Sequence, residues 1–500
     1  MMQTAALLDA LPAKKVTGAV PASIAGIADD SRKVGPGECF VAVPGMRTDA
    51  RRFVPDAVAR GAALIVTEGG AVPDVTVPQV VVPSAREAVA LLGDAWYGHP
   101  TRTMVLVGIT GTNGKTTTSY LVEALLRARG LRPGVLGTIR YVGGTTSMEA
   151  NQTTPDALQL SALLARMRDD GVQGVAMEVS SHALAQARAD ALAFDVAVFT
   201  NLTQDHLDFH GTFDEYRLAK RRLFELLARS PKPRRTAVVS ADDPAGNSMV
   251  GHLPLDVIRF GLRETADVRA LEHTSTLDGI RMTVQTPPGE FVLTSPLIGE
   301  HNVMNLLGAI GVGLALGLPR DAIKETLAAV GAVPGRFEQV KAGQPFLVVV
   351  DYAHTPDALE RVLTTARKLT SGRLGVVFGC GGDRDRGKRP IMGGIAARLC
   401  DRVWVTSDNP RSEPPAAIID EIVVGIRETG APPEGYVTEP DRRTAIGGAL
   451  AWGRRGDTVV IAGKGHETYQ IVGSSVLPFD DREVARESLT SHQSGRGPSR

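Results

Sequence analysis

Cysteine is scarce. The 500-residue chain holds three, Cys39, Cys380 and Cys400, with no CxxC pair and no even-numbered framework. This argues against both a disulfide scaffold and a thiolate zinc centre. An excess of either charge is also missing, because 55 Lys plus Arg balance 55 Asp plus Glu. A chain without net charge has no general pull toward nucleic acid or an anionic membrane, and neither partner is expected. Local clusters such as "KRRLF" and "PKPRRT" read as solvated faces. No apolar run approaches the roughly 20 residues of a membrane-spanning helix. The start, "MMQTAALLDALPAKK", lacks a charged segment followed by a long apolar one. A reducing, cytoplasmic setting is therefore expected. There is no internal repeat and no low-complexity tract. The polar ending "SHQSGRGPSR" reads as part of a disordered tail over 488–500.

What the chain does have is an ordinary globular composition, 43% hydrophobic and 22% charged, over a length that calls for several cores. Apolar, β-branched runs recur: "CFVAVPG", "ALIVTE", "VVVP", "MVLVGIT", "GVAMEVS", "VAVFTNL", "TAVVSADD", "FLVVVDYA", "LGVVFG", "RVWVTSD" and "DTVVIAG". Most read as strands buried on both faces, as in parallel sheets. Helices are expected between them over 115–128, 303–316, 356–369 and 415–428. Such alternation gives an α/β fold. Polar, Pro-containing stretches near 97–103 ("YGHPTRT") and 331–340 ("GAVPGRFEQV") divide the chain into domains of 1–103, 104–335 and 336–487.

The stretch "VLVGITGTNGKTTTSYLV" passes from an apolar strand through a glycine-rich turn into a helix. Phosphate needs backbone N–H groups, a helix N-terminus and a nearby cation. Gly111, Thr112, Asn113 and Gly114 form the turn, Lys115 brings the charge, and the hydroxyls of Thr116 and Thr117 follow. Thr116 is placed for Mg²⁺. The usual spacing wants Gly where Ile109 stands, so the loop is a variant of the common phosphate loop.

Glu178 ends the strand of "GVAMEVSSH", where a carboxylate can serve Mg²⁺; by itself it could equally be a solvated strand end. "NLTQDHLDFHG" adds Asp205, His206, Asp208 and His210. The HxxxH spacing suggests zinc, but no HExxH and no third ligand follow, so a magnesium–nucleotide loop is the better reading. Lys220, in "EYRLAKRRLFELL", reads from its neighbours as a surface lysine.

The ordered set "GITGTNGKTTT", "MEVSSH", "FTNLTQDHLDFHG", "AKRRLF", "GEHNVMNLLGAI", "DYAHTPDAL", "GCGGDRDRGKRP", "DNPR" and "GKGHE" resembles the Mur ligases of peptidoglycan synthesis over almost the whole chain. Within them it is most similar to the branch that adds the third residue to UDP-N-acetylmuramoyl-L-alanyl-D-glutamate. The resemblance implies a UDP-binding domain, a central P-loop ATPase domain and a Rossmann-like C-terminal domain. It implies ATP as substrate, Mg²⁺ as cofactor, small-molecule partners only, and a monomer. It also implies an acyl-phosphate route, with Lys115, Glu178, His206 and Lys220 as catalytic residues. Thr116, Glu178 and Lys220 would serve the metal, Lys220 as an N6-carboxylysine. Asn302, Arg336 and Asp351 would join the phosphate loop in holding ATP, with His354 nearby. Ser31, with the "GMRTD" loop beside it, and Gln152, Thr153, Thr154, Ser180, Gln186 and Arg188 would hold the UDP-sugar dipeptide. "NQTTPDA" departs from the run found in some members, which bears on Gln152 first.

Arg384, Asp408, Asn409, Pro410, Arg411, Gly463 and Glu467 match the amino-acid site. A guanidinium at Arg411 suits a carboxylate held in bidentate fashion. Meso-diaminopimelate has a distal carboxylate where L-lysine has none, so Arg411 favours diaminopimelate, with Glu467 pairing the distal ammonium. The alternatives are a lysine-adding or folylpolyglutamate-type ligase, a non-catalytic P-loop regulator, and a metal hydrolase built on His206 and His210.

Overall fold

Strands that are apolar on both faces need cover on both faces, and the chain supplies it for three separate sheets. The computed structural model describes residues 1–45, 48–150, 152–287 and 289–494. Met46 and Arg47 of the "GMRTD" loop lie outside the described residues.

The N-terminal sheet has five strands in the order Lys15–Thr17, Gln79–Val82, Leu64–Glu68, Cys39–Val41, Ile27–Ala28. All neighbours are parallel except the first pair. Leu64, Val66 and Val80 fill one face, and Phe40 and Ile65 the other.

The central sheet has eleven strands. From Pro133–Leu136 through Gly174–Glu178, Val105–Thr110, Val196–Phe199, Thr236–Ser240 and Asp256–Gly261 to Val268–Thr276 they run parallel. Antiparallel strands extend both ends: Arg140–Gly143 and Thr146–Glu149 on one side, Gly279–Thr286 and Gly289–Ser295 on the other. These extensions are absent from the sequence reading because their side chains alternate between buried and exposed, so they never form continuous apolar runs.

The C-terminal sheet has six strands in the order Glu338–Gln339, Leu347–Asp351, Thr458–Ala462, Leu374–Phe378, Arg402–Val405, Tyr436–Thr438, parallel but for the first. Three expected helices have the expected bounds: Lys115–Ala128, Pro356–Leu369 and Pro415–Glu428. The fourth, Glu300–Ala315, starts three residues before the expected 303, because its polar first turn "EHN" carries no apolar period.

The expected tail needs correction. Helix Asp481–Ser494 runs through residues 488–494, with Val484, Ala485 and Leu489 buried against the C-terminal sheet. Residues 495–500 lie outside the described residues. Among the described residues no helix is long and apolar enough to cross a membrane.

Candidate active site

The glycine-rich turn does what a phosphate loop must. Gly111 (φ 150°) and Gly114 (φ 87°) take backbone conformations that L side chains rarely adopt. A Cβ on Gly111 would lie 1.8 Å from Thr200 Oγ1, and one on Gly114 2.4 Å from Asn305 Oδ1. Ile109, at the position of the missing glycine, is wholly buried in the core beneath the loop. The loop is pinned from below, because Asn113 N donates to Asn201 Oδ1 (3.0 Å) and Thr200 Oγ1 donates to Asn113 O (2.6 Å). Lys115 folds back to donate to Gly111 O (2.9 Å) and Thr112 O (2.8 Å), and burial lowers its pKa.

Strand register sets Glu178 beside Ile109, at the C-terminal edge of the sheet next to the loop. Its carboxylate accepts from Thr116 Oγ1 (3.1 Å) and from Thr138 N (2.9 Å) and Oγ1 (3.0 Å). From the C-terminal domain, Arg336 Nη2 donates to Thr116 Oγ1 (2.9 Å).

Lys220 is not a surface residue. It is 1% exposed, its Nζ donates to Gly111 O (2.9 Å), and the ammonium lies 4.4 Å from the centre of the Tyr216 ring. Burial, reinforced by Lys115, holds its pKa well below the usual lysine value. His182 packs against both His206 and His210, with ring centres 4.7 and 5.5 Å apart. Burial pushes His182 and His210 down to about 4 and lowers His206, so these rings are neutral at pH 7. His210 Nε2 is spent on Ser181 Oγ at 3.0 Å. Among the described residues no group of three His, Cys, Asp or Glu side chains is arranged to hold a metal.

A cavity of about 620 Å³ takes in residues 112–117, Thr153, Glu178, His206, Arg336 and Asp351. Asp351 reaches its rim, but its carboxylate already caps Phe337 N (2.6 Å) and Ala353 N (2.8 Å). Asn302 does not line this cavity. Its amide donates to Ile298 O (2.8 Å) and accepts from Asn305 Nδ2 (2.8 Å), and it is Asn305 that faces the phosphate loop.

Six of the residues expected at the sugar dipeptide, all but Ser31, form one network. Arg188 donates to Gln152 Oε1, to Thr154 O (2.9 Å) and to Gln186 Oε1 (2.7 Å). Thr154 Oγ1 joins Glu178 O (2.9 Å) to Ser180 N (3.1 Å), and Thr153 meets Thr138 (3.1 Å). Ser180 Oγ caps the next short helix at Ala183 N. Ser31 is buried on the turn Ser31–Lys33 of the N-terminal domain and lines neither cavity.

A second cavity, about 1070 Å³, is lined by Arg384, Asp408, Asn409, Arg411, Gly463 and Glu467. Pro410 is not among its lining residues; its carbonyl accepts from Glu413 N (3.1 Å) and so turns the loop. Arg411 adopts φ 53° and is stitched to the hairpin Tyr469–Val472/Ser475–Pro478 through Ile471 O (3.1 Å) and Gly473 N (2.7 Å). One oxygen of Asp408, Oδ2, is buried without a hydrogen-bond partner among the described residues.

The loops carrying Arg384 and Arg411 are clamped together. Arg389, wholly buried, donates to Glu413 (2.8 and 2.9 Å) and Glu421 (2.9 Å), while Asp383 accepts from Ser412 Oγ (2.6 Å). The sequence reading missed Thr138, Asn305, Arg389 and Lys464. The last three sit inside motifs it quoted; Thr138 carried no signal. Asp205, His206, Tyr352, His354 and Thr355 line both cavities, which therefore meet at a common wall.

Family models match in chain order: the Mur ligase family catalytic domain over residues 23–97, the Mur ligase middle domain over 109–313, and the Mur ligase glutamate ligase domain over 335–465. A UDP-N-acetylmuramoyl-L-alanyl-D-glutamate–2,6-diaminopimelate ligase from Solibacter usitatus is 46% identical over 469 residues, 94% of each chain. A protein of the same name from Geobacillus thermodenitrificans is 46% identical over 490 residues, 98% of this chain and 99% of that one. A solved structure of a ligase of that name superposes with a TM-score of 0.66 at 34% identity, over 94% of this chain and 95% of that one. The three-sheet architecture, the phosphate loop and these matches agree: the chain belongs to the Mur ligase family.

Proposed function

We infer that the protein uses ATP to join meso-2,6-diaminopimelate to UDP-N-acetylmuramoyl-L-alanyl-D-glutamate, in the cytoplasmic synthesis of peptidoglycan precursor, and that it acts as a monomer of three domains divided near residues 103 and 335. The observation that carries this is the shared wall. A phosphate-loop cavity and a cavity holding Arg411 and Glu467 meet at Asp205, His206 and Tyr352, so a phosphorylated carboxyl group and an incoming amine can occupy adjoining space.

A carboxylate resists attack by an amine, because oxide is a poor leaving group. In the proposed reaction an oxygen of the D-Glu γ-carboxylate attacks the γ-phosphorus of ATP, and ADP departs. The free amine of diaminopimelate then adds to the acyl carbon, the ammonium having first lost a proton to water. The adduct's nitrogen gives up its extra proton to water, and collapse expels phosphate and leaves the amide. Lys115 and the backbone of residues 111–114 hold the phosphates, and Arg336 brings a further cation to Thr116. The Arg188 network orients the dipeptide.

Thr116 and Glu178 form a hard-oxygen pair, the donor set Mg²⁺ takes alongside phosphate oxygens and water, and a bound Mg²⁺ would offset the crowded phosphate charge. Lys220 is read as the carbamate. An amine adds to CO₂ only when neutral, and the burial of Lys220 beside Lys115 favours the neutral form.

Diaminopimelate is preferred over lysine because Arg411 offers its charge to a distal carboxylate and would repel a bare ammonium. The test is phosphate release with ATP, Mg²⁺ and the UDP-dipeptide, with meso-diaminopimelate or L-lysine in parallel. Release with diaminopimelate alone is expected. Release with lysine instead would overturn the specificity, and release with neither would overturn the activity.

A further inference from the structure

We propose that Lys464 is a positioning residue for the amino-acid substrate: from behind the cavity wall it fixes Glu467 and Asn409 in the orientation that receives the distal end of diaminopimelate. This rests on the reading of the larger cavity as the diaminopimelate site.

Lys464 follows the central strand Thr458–Ala462 of the C-terminal sheet and is 0% exposed. It does not line the cavity, so it cannot touch substrate there. Its Nζ donates to Glu467 Oε2 (2.8 Å) and Asn409 Oδ1 (3.2 Å), two residues that do line it. Asn409 closes the triangle, because its Nδ2 donates to the same Glu467 Oε2 (2.9 Å) while its Oδ1 also accepts from Ile471 N (2.9 Å). Both donors fall on Oε2. Among the described residues Oε1 accepts no hydrogen bond, which leaves one carboxylate oxygen for a ligand.

A plain core ion pair is the competing account. Desolvating a whole ammonium is expensive, and an apolar side chain of similar size would serve packing as well or better. Among the described residues the buried cation makes its hydrogen bonds only to side chains of the cavity wall, and without it Glu467 would keep a single hydrogen bond, from Asn409. Lys464 also repels an incoming ammonium, so it helps only if position outweighs that repulsion. The sign of the change in KM tells which.

The test uses the full-length protein with Lys464→Met, Glu467→Gln and the double variant, reading KM for meso-diaminopimelate, KM for ATP, kcat and thermal midpoint. Lys464→Met is expected to raise KM for diaminopimelate about tenfold or more, the scale of a lost hydrogen bond to a charged group. KM for ATP should stay within about twofold. The double variant should be no worse than Glu467→Gln, because the lysine acts through that carboxylate. An unchanged or lower KM for diaminopimelate in Lys464→Met overturns the proposal, as do losses that multiply in the double variant. If Glu467→Gln itself leaves that KM unchanged, the reading of the cavity falls first. Should Lys464→Met not fold, Lys464→Arg carries the test: it keeps the charge but shifts its donors, so a severalfold rise with normal ATP use is expected, and no rise overturns the proposal.

Discussion

Lys220 shows how much a single environment can change a residue's chemistry. Its helix, Phe213–Arg229, buries Tyr216, Lys220, Leu223, Phe224 and Leu227. That is the spacing of an apolar stripe, and a lysine stands on it. The stripe was present in "EYRLAKRRLFELL", but a reading that takes lysine as solvated passes over it; only the family resemblance promoted the residue. Lys220→Ala is expected to lose most ligase activity and to regain part of it with added short carboxylates. Full activity without them would contradict the carbamate role. Arg411→Ala should raise KM for diaminopimelate far more than KM for ATP; equal losses would point to misfolding.

The buried histidines make a prediction about pH. His182 and His301 are pushed by burial from the ordinary 6.5 to about 4, and His466 to about 3. Their folded pKa lies below the unfolded one, so between these values the unfolded chain binds more protons. Their contribution to stability is complete above about pH 6.5 and falls as pH drops toward 4. The thermal midpoint should decline through that window, and His301→Phe should flatten the decline.

Among the elements, shorter or more polar parallel strands such as Pro133–Leu136, Asp256–Gly261 and Tyr436–Thr438 were passed over, while the parallel strands with continuous apolar runs were legible, as were four of the helices. The antiparallel extensions and the polar first turn of Glu300–Ala315 were not, since half-exposed elements give no such run. The clamp between the "GGDRDRGK" and "DNPRSE" loops was hidden for another reason. Arg389, Glu413 and Glu421 are charged residues in segments that look solvated, and only the fold brings them together. Arg389 holds the Glu413 carboxyl down at about 2. Arg389→Ala should lower stability in denaturant unfolding, because charge-assisted hydrogen bonds to two partly exposed carboxylates are lost. It should also raise KM for diaminopimelate while leaving ATP use intact. Unchanged diaminopimelate kinetics would mean the clamp serves stability alone.

At the scale of the molecule, the site exists only where domains meet. Asp357, at the start of a C-terminal-domain helix, accepts from Asn113 of the phosphate loop and from Thr203, both at 2.9 Å. Arg336 reaches Thr116, and Lys368 pairs with Glu300 across the same boundary. No local pattern in the sequence encodes these contacts, because each is an isolated polar pair between distant segments. The α/β alternation was readable in the sequence; these contacts between distant segments were not. Asp357→Ala is expected to loosen the central and C-terminal domains, seen as a larger radius of gyration in solution scattering. An unchanged radius would show that Asp357 does not hold them.

In the proposed reaction one carboxylate oxygen of the substrate passes through an acyl phosphate and leaves in the released phosphate, while the other stays in the new amide. The direct test labels the D-Glu γ-carboxylate of the UDP-dipeptide with ¹⁸O and follows the label during turnover with ATP and meso-diaminopimelate. Phosphate carrying one ¹⁸O, with the other retained in the new amide, is the predicted result. Unlabelled phosphate released alongside amide product would contradict the acyl-phosphate route.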